Sequence, residues 1–304
     1  MKEFIFPVAA FGLAISAFGQ PAASTGAAEP PVLGITWARG FEPAPPPVVG
    51  GVGAARTRSP LMLFHGGKIM PTVNAEAIFW GPSWTNSAFV GDKITGLDSW
   101  YTGFSLSNYA KTSDEYTGTN GTVGASLNYL SHAIDTSKAT GGNSTLAILT
   151  EVCKEITVPD ATGNGYYPVY TDVKRGTAGF CAWHSAGTCH NVPVQFAFFF
   201  NLDGDPGCDP QDKTTGHSQG LAALANVSGH ELSEARTDPA TPGAWYDSSG
   251  AENGDKCAWT FNVPSVTFLN ATTWKIQGEW SNNAYNTGTG YPNSSGQRGC
   301  LDGH

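Results

Sequence analysis

The sequence predicts a single secreted α/β domain, in which helices pack on a mixed β-sheet and disulfides add stability. Three observations lead to this prediction. Apolar segments of strand length alternate with segments of helical period, a basic residue precedes a short apolar run at the N-terminus, and the cysteine count of 6 is even. A chain of 304 residues can also bury a sizeable hydrophobic core.

The predicted elements follow from the local pattern of apolar residues. Segments rich in β-branched and aromatic residues, bounded by turn residues, predict strands, whereas apolar residues three and four apart predict helices. On these grounds strands are expected at 73–80, 146–153, 192–200 and 274–280, and helices at 89–104, 127–134 and 217–236. Their alternation is typical of a mixed sheet covered by helices.

Particular residues support individual elements. The first strand runs into Gly81-Pro82, which ends it. Leu127, Leu130 and Ile134 have helical spacing, and this predicts the second helix. The 192–200 segment becomes apolar on both faces, as expected for a central strand.

Two segments precede the predicted domain at 61–304. Residues 1–19 combine Lys2, an apolar run and small residues, a pattern typical of a signal peptide; the run is shorter than the roughly 20 residues of a spanning helix. Residues 20–60 are rich in Pro, Ala and Gly, so an extended linker or a propeptide is predicted there.

The cysteines indicate three disulfides in an exported chain. Sequence leaves all fifteen pairings open, although Cys181 and Cys189 are close enough to close a small loop. No Cys-x-x-Cys pair occurs, so a thiolate zinc site is not expected. The six are Cys153, Cys181, Cys189, Cys208, Cys257 and Cys300.

The charge excludes two classes of partner. The formal net charge is −9, and charged residues are 13% of the chain, about half the usual share of roughly 25%. No cluster of Lys and Arg is available to neutralise phosphates, so neither nucleic acid nor an anionic membrane is an expected partner.

The segment His230-Glu231-Leu232-Ser233-Glu234 carries the most chemical information. His230 and Glu234 are four residues apart, so on a helix they project from one face. Imidazole nitrogen and carboxylate oxygen are ordinary zinc ligands, and the intervening Glu231 would be the general base, as in His-Glu-x-x-His helices. Glu234 in place of a second histidine broadens the choice of metal toward manganese or calcium. The alternative is an exposed helix without a ligand.

A third ligand is expected from acids that follow this helix. The loop after it is rich in Gly and Ser, and one of its acids would complete the site; an ordinary solvated turn is the alternative. His184 lies between two cysteines; a hydrogen-bonded structural histidine is the preferred interpretation there, and a metal ligand is the alternative. The candidate acids are Asp238, Asp247, Glu252 and Asp255.

A calcium loop is a further candidate at 201–212. Asp203 and Asp205 begin a series of oxygen-bearing residues at alternate positions. However, Pro206 occupies the place where such a loop needs glycine, and Asp212 stands in place of glutamate. A turn after a central strand is the preferred interpretation.

An ordered series of short motifs resembles the phosphate-induced protein 1 (EXORDIUM-like) family. The motifs are His65-Gly66-Gly67 with the strand 73–80, the segment 179–184, the strand ending at Asn201, the helix running into Thr237-Asp238-Pro239, and Trp245-Tyr246. The resemblance covers about residue 65 to the C-terminus and implies a secreted protein. Plant members are associated with the cell wall and growth. Their equivalent helix lacks the His/Glu pair, so that role is not transferred to this chain.

Two functional hypotheses follow. The first is a secreted zinc-dependent hydrolase, peptidase-like, acting on a peptide. The second is a non-catalytic extracellular protein that associates with a cell-wall polymer or another carbohydrate, for which the 9 tryptophans and 10 tyrosines would offer stacking surfaces. Metal content of the mature protein separates the two.

Overall fold

The structure, a computed structural model, describes residues 28–43 and 59–304. Six strands of these residues form one mixed sheet in the order β1-β5-β6-β4-β2-β3. Strand β5 is antiparallel to β1 and β6, and the other neighbours are parallel. The strands are β1 (Val32–Trp37), β2 (Val73–Trp80), β3 (Leu127–Asp135), β4 (Gly165–Lys174), β5 (Phe180–Cys189) and β6 (Val192–Asn201). The α/β prediction with a mixed sheet is confirmed.

The helices pack on both faces of this sheet. Helices α2 and α4 lie against each other on one face, and α4 contacts β1, β5 and β6. Helix α3 packs on β4, β5 and β6. Because the Leu149 side chain of α3 lies against Gly187 of β5 and His184 of the same strand faces α4, the two helices lie on opposite faces. The helices are α1 (Ser87–Val90), α2 (Lys93–Phe104), α3 (Thr145–Glu155), α4 (Gln219–Thr237) and α5 (Asn282–Thr287).

Shorter elements complete the described chain. Paired two-residue strands are Leu63–Phe64 with Trp245–Tyr246, Thr117–Gly118 with Gly121–Thr122, and Val266–Thr267 with Thr273–Trp274. Glu279–Trp280, Arg298–Leu301 and Tyr291–Pro292 form a three-stranded sheet. The 3-10 helices are Pro82–Thr85, Ala110–Ser113 and Asp255–Cys257. The expected long strand at 274–280 is thus only two short pieces.

The core follows the central strands. Phe196, Phe198, Phe199 and Phe200 of β6 are all buried, so this strand is apolar on both faces as predicted. Complete burial of each such side chain stabilises the fold by about 1.5–3 kcal/mol.

Two predicted elements are wrong in type. The 127–134 segment is the edge strand β3, on which Leu130 and Ile134 are exposed rather than part of an apolar helix face. The 146–153 segment is helix α3, whose start is capped by the Ser144 hydroxyl accepting from the Ala147 amide. A short apolar run does not by its period separate a buried strand from a buried helix.

The predicted linker does not hold for residues 32–37, which form β1 and pair with β5. Ala38, directly after the strand, is fully buried in the core. The β-rich sequence Val-Leu-Gly-Ile-Thr-Trp forms a strand although its surroundings are rich in Pro and Gly. The predicted signal peptide and residues 44–58 of the predicted linker lie outside the described residues.

Three disulfides are present, as predicted: Cys153–Cys189, Cys181–Cys208 and Cys257–Cys300. The Cys181–Cys189 loop does not form. Both cysteines lie on β5, eight residues apart, and eight extended residues span roughly 26 Å. No helix of the described chain is long and apolar enough to cross a membrane.

Candidate metal centre

Helix α4 carries the motif and is buried along its length. The Ser218 hydroxyl accepts from the Leu221 amide at 3.2 Å and caps the start of the helix. The helix ends at Thr237 because Pro239 disfavours helix at the residue before it. All residues from 220 to 237 are buried. The exposed-helix alternative therefore does not apply, and polar side chains of α4 must find partners inside the protein.

His230 and Glu234 converge with an acid of the following loop. His230 Nε2 lies 2.8 Å from Glu234 Oε1 and 3.7 Å from Asp255 Oδ1. The Asp255 amide also donates to Glu234 Oε1 at 3.1 Å. Although it is this close to an oxygen, His230 Nε2 makes no hydrogen bond to any described residue. A nitrogen and carboxylate oxygens thus face a common point.

Strand β5 brings a second histidine to the same carboxylate. His184 Nε2 lies 3.3 Å from Glu252 Oε2 and 3.6 Å from Glu234 Oε2. The contact with Glu252 is a hydrogen bond, as the sequence predicted for His184, whereas Nδ1 of the same ring has no partner among the described residues. The five side chains that converge here, called the His/carboxylate cluster below, are His184, His230, Glu234, Glu252 and Asp255.

Two glycines let the backbone approach this cluster. A Cβ atom at Gly34, on β1, would overlap Glu234 Oε2 and His184 Nε2. A Cβ atom at Gly254 would lie 2.9 Å from His230 Cδ2 and 3.0 Å from Glu234 Oε1. Any larger residue at Gly34 would occupy the space between the ligand atoms.

The cluster contains acids without a basic partner. Among the described residues, no Lys or Arg nitrogen lies within 4.0 Å of the carboxylates of Glu234, Glu252 or Asp255. Burial raises the pKa of all three carboxyl groups. Burial and the nearby His230 lower the pKa of His184 to about 3. Burial thus favours the neutral form of these carboxyl groups unless a positive charge is supplied, because desolvation costs several kcal/mol per ion.

A second group of acids, outside the His/carboxylate cluster, does have a basic partner. Asp135, Glu151 and Glu155 also converge, but Lys154 Nζ lies among them, at 2.5, 3.3 and 3.1 Å respectively. Lysine supplies the charge there, whereas the His/carboxylate cluster lacks a lysine or arginine partner.

The donor atoms of the cluster suit a transition metal. Zinc ligands bound at about 2.1 Å, with angles of about 90–110°, lie roughly 3.0–3.4 Å apart. The nitrogen-to-oxygen separations here are 2.8, 3.3, 3.6 and 3.7 Å. Shifts of a few tenths of an ångström would therefore bring the donors to bonding distance. Mixed nitrogen and oxygen donors suit zinc and also manganese.

Gln277 contacts the other ring nitrogen of His230. Its Nε2 lies 3.1 Å from His230 Nδ1 and 2.9 Å from the Gly254 carbonyl oxygen. In this orientation Nδ1 accepts, and the ring proton is on Nε2. A metal at Nε2 requires Nδ1 to donate instead. The Trp259 amide also donates to Gln277 Oε1 at 3.2 Å, so turning the Gln277 amide would break two hydrogen bonds. Metal binding at Nε2 therefore requires a rearrangement around Gln277.

Glu231 lies beside the cluster and is fully buried. The Thr36 amide and hydroxyl both donate to Glu231 Oε1, at 2.9 and 2.5 Å, while Oε2 has no partner among the described residues. Burial raises the pKa of Glu231 to about 8. Thr36 and Gly34 share one face of β1, so Glu231 approaches the cluster from the side covered by that strand.

A surface cavity of about 300 Å³ reaches the cluster. Glu252 lines it, together with Asp238, Tyr246 and the start of β1 at Val32 and Leu33. Its volume is at the lower end of the usual range for ligand pockets, so it admits a small group.

Two predicted acids lie outside the cluster. Asp238 Oδ1 accepts from the Ala244 amide at 2.5 Å, and burial raises the pKa of this carboxyl to about 7. Asp247 Oδ2 accepts from Lys256 Nζ at 2.7 Å. Neither belongs to a group of three ligand side chains in the described chain.

The calcium candidates are paired with bases. Lys93 Nζ lies 2.5 Å from Asp203 Oδ2, and the Arg175 guanidinium donates to both oxygens of Asp205, at 2.6 and 2.9 Å. Within the described residues neither acid joins a group of three ligand side chains. The segment is a turn after β6, stabilised by ion pairs.

The disulfide at Cys257–Cys300 is expected to stabilise the cluster. Cys257 lies two residues after Asp255, and the bridge closes a 43-residue separation, against 36 for Cys153–Cys189. Either bridge contributes about 4 kcal/mol by loop entropy. Replacing both cysteines of either bridge by alanine should therefore lower stability similarly in denaturant unfolding. If the cluster holds a metal ion, only loss of Cys257–Cys300 should weaken metal binding in calorimetry, by about tenfold or more; equal metal affinities would contradict this.

No family model matches the chain, and no curated protein matches it.

Proposed function

We propose that this protein is a secreted zinc-dependent hydrolase that cleaves peptide bonds. One observation carries the proposal: two buried histidines, two buried glutamates and the partly buried Asp255 converge without a Lys or Arg side chain among them. A metal site requires side chains that converge in this way. In a purely structural hydrogen-bond network, burying these polar groups without partners would lower the stability of the fold. The three disulfides support secretion, since such bridges persist in oxidising compartments.

In this proposal, different residues of the chain bind the metal and transfer the proton. His230, Glu234 and Asp255 hold the metal on one side, and His184 and Glu252 complete its surroundings. A bound zinc ion would polarise the scissile carbonyl and make water a better nucleophile. Glu231 takes a proton from the attacking water and returns it to the leaving amine. A carboxyl with a pKa near neutrality suits both transfers.

Substrate would enter through the cavity beside Glu252. The half-buried Leu33 and the ring of Tyr246 give it an apolar wall, and the narrow volume favours a short peptide or a chain end. Four of the five side chains of the cluster, which are His184, His230, Glu234 and Glu252, are buried, and this strengthens the electrostatic interactions of the site.

The alternative, a non-catalytic carbohydrate-associated protein, has less structural support. Six of the nine tryptophans are buried in the core, so stacking on a cell-wall polymer would depend on Trp37, Trp245 and Trp259. A relationship to EXORDIUM-like proteins remains part of the proposal, on the motifs given above.

The proposal is tested by separating metal binding from hydrolysis. Glu231→Gln should keep zinc, because Glu231 is not a ligand, but should lower peptide hydrolysis by roughly 10²–10⁴-fold. His230→Ala should lose the zinc held by His230 and, with it, hydrolysis. Zinc content and cleavage of a mixed peptide library are measured for each variant, with and without chelator.

Glu76→Gln is the matched control, because Glu76 lies on β2 and, among the described residues, its side chain accepts a hydrogen bond from Ser131 Oγ alone; it should match the wild type in both assays. Absence of zinc from protein purified without chelator and then supplied with zinc would sink the proposal. Zinc binding without any hydrolysis would overturn the enzyme and leave a metal-binding protein.

A further inference from the structure

We infer that the His/carboxylate cluster binds two metal ions, bridged by Glu234. The inference rests on the proposed metal centre and goes beyond it in number and arrangement of ions. The observation behind it is that the two oxygens of Glu234 face different histidines. Oε1 lies 2.8 Å from His230 Nε2, and Oε2 lies 3.6 Å from His184 Nε2.

Each side of the bridge has its own ligand set. On the first side are His230, Glu234 Oε1 and Asp255; on the second are His184, Glu234 Oε2 and Glu252. The ligand atoms form two groups, within each of which all atoms lie within 4.8 Å, and Glu234 is the residue common to both. Each group thus offers one nitrogen, one carboxylate and one bridging oxygen. Three protein ligands with an open fourth position are typical of catalytic zinc.

The charge of the cluster exceeds what one divalent ion balances. Its three acids are Glu234, Glu252 and Asp255, and no Lys or Arg nitrogen of the described residues lies within 4.0 Å of them. When all three are ionised, a single divalent ion would leave one negative charge uncompensated, so the cluster has room for further positive charge.

The positions of Gly34 and Gly254 also agree with two separate ligand sets. Gly254 approaches the His230 side of Glu234, and Gly34 approaches the His184 side. The backbone therefore comes close at both ends of the bridge without a side chain occupying either position. Paired metal ions in hydrolases lie about 3.5–4 Å apart, a distance that one carboxylate can bridge.

Metal stoichiometry of the whole chain tests the inference directly. Protein freed of metal by chelation is dialysed against zinc and, separately, against cobalt, and the bound metal is measured per chain by mass spectrometry. Two equivalents are expected. One bound equivalent would contradict the two-ion inference but leave the proposed hydrolase intact. No bound metal would contradict both the inference and the proposed function.

Single variants show which residues hold which metal ion. In Asp255→Asn and in Glu252→Gln, one ion should bind as tightly as in the wild type and the other at least tenfold more weakly. Glu234→Gln should bind neither ion tightly. Glu76→Gln is again the matched control, since Glu76 lies on β2 outside the cluster, and it should keep two.

Folding of every variant is to be checked by circular dichroism. The number of metal ions bound by the wild type does not depend on any variant, so a misfolded variant does not remove that test. Loss of both equivalents in Asp255→Asn and in Glu252→Gln, with folding retained, would contradict two separable positions.

Discussion

Gly34→Ala is expected to abolish metal binding. Alanine is normally neutral or favourable where it replaces glycine within a strand, by about 0.5–1 kcal/mol. At Gly34, however, the added methyl would overlap Glu234 Oε2 and His184 Nε2. Neither a buried carboxylate on α4 nor a buried imidazole on β5 can move away without losing the convergence of the ligands. Zinc affinity measured by calorimetry should fall by at least a hundredfold.

Gly141→Ala is the matched control. A Cβ atom there would meet only Val173 and Phe200, at ordinary contact distances of 3.8 and 3.9 Å. This variant should bind zinc as the wild type does. If Gly34→Ala bound zinc with unchanged affinity, the site would not lie between β1 and α4.

Metal removal is expected to lower the melting temperature strongly. Because the ligands come from β5, α4 and the 252–255 loop, binding stabilises the folded chain and not the unfolded one. At a free zinc concentration about a thousand times Kd, one site adds about 4 kcal/mol. For a domain of this size that corresponds to about 10 °C, measured by calorimetry with and without chelator.

The double variant His230→Ala/Glu234→Ala supplies the control for this effect. Its melting temperature should not respond to zinc or to chelator, because both sides of the cluster lose a ligand. A chelator-induced shift of equal size in this variant would place the stabilising metal elsewhere in the chain.

Local sequence patterns predict the centre of the fold better than its edges. Strand β6 is apolar on both faces, so its place in the sheet follows from its composition. Edge strand β3 has exposed Leu130 and Ile134, so its apolar spacing says little about a buried face. Strand β1 is six residues of β-rich sequence whose partner, β5, is about 150 residues away and cannot be read from composition.

The residues of the candidate site can likewise be predicted only in part from local sequence. His230 and Glu234 are four residues apart on one helix, so local periodicity predicts their convergence. His184 reaches Glu234 only because β5 packs against α4, and Gly34 and Thr36 reach the site only through β1. Among the loop acids, Glu252 and Asp255 join the cluster, whereas Lys256 pairs with Asp247 and the Ala244 amide pairs with Asp238. Local spacing does not encode those pairings.

Anomalous diffraction at the zinc absorption edge tests the central claim most directly. Crystals grown from metal-free protein and then supplied with zinc should show two anomalous peaks, one between His230 and Asp255 and one between His184 and Glu252. Each peak should lie about 2.0–2.2 Å from a different oxygen of Glu234. A zinc-supplied crystal with no peak within bonding distance of Glu234 would contradict the account.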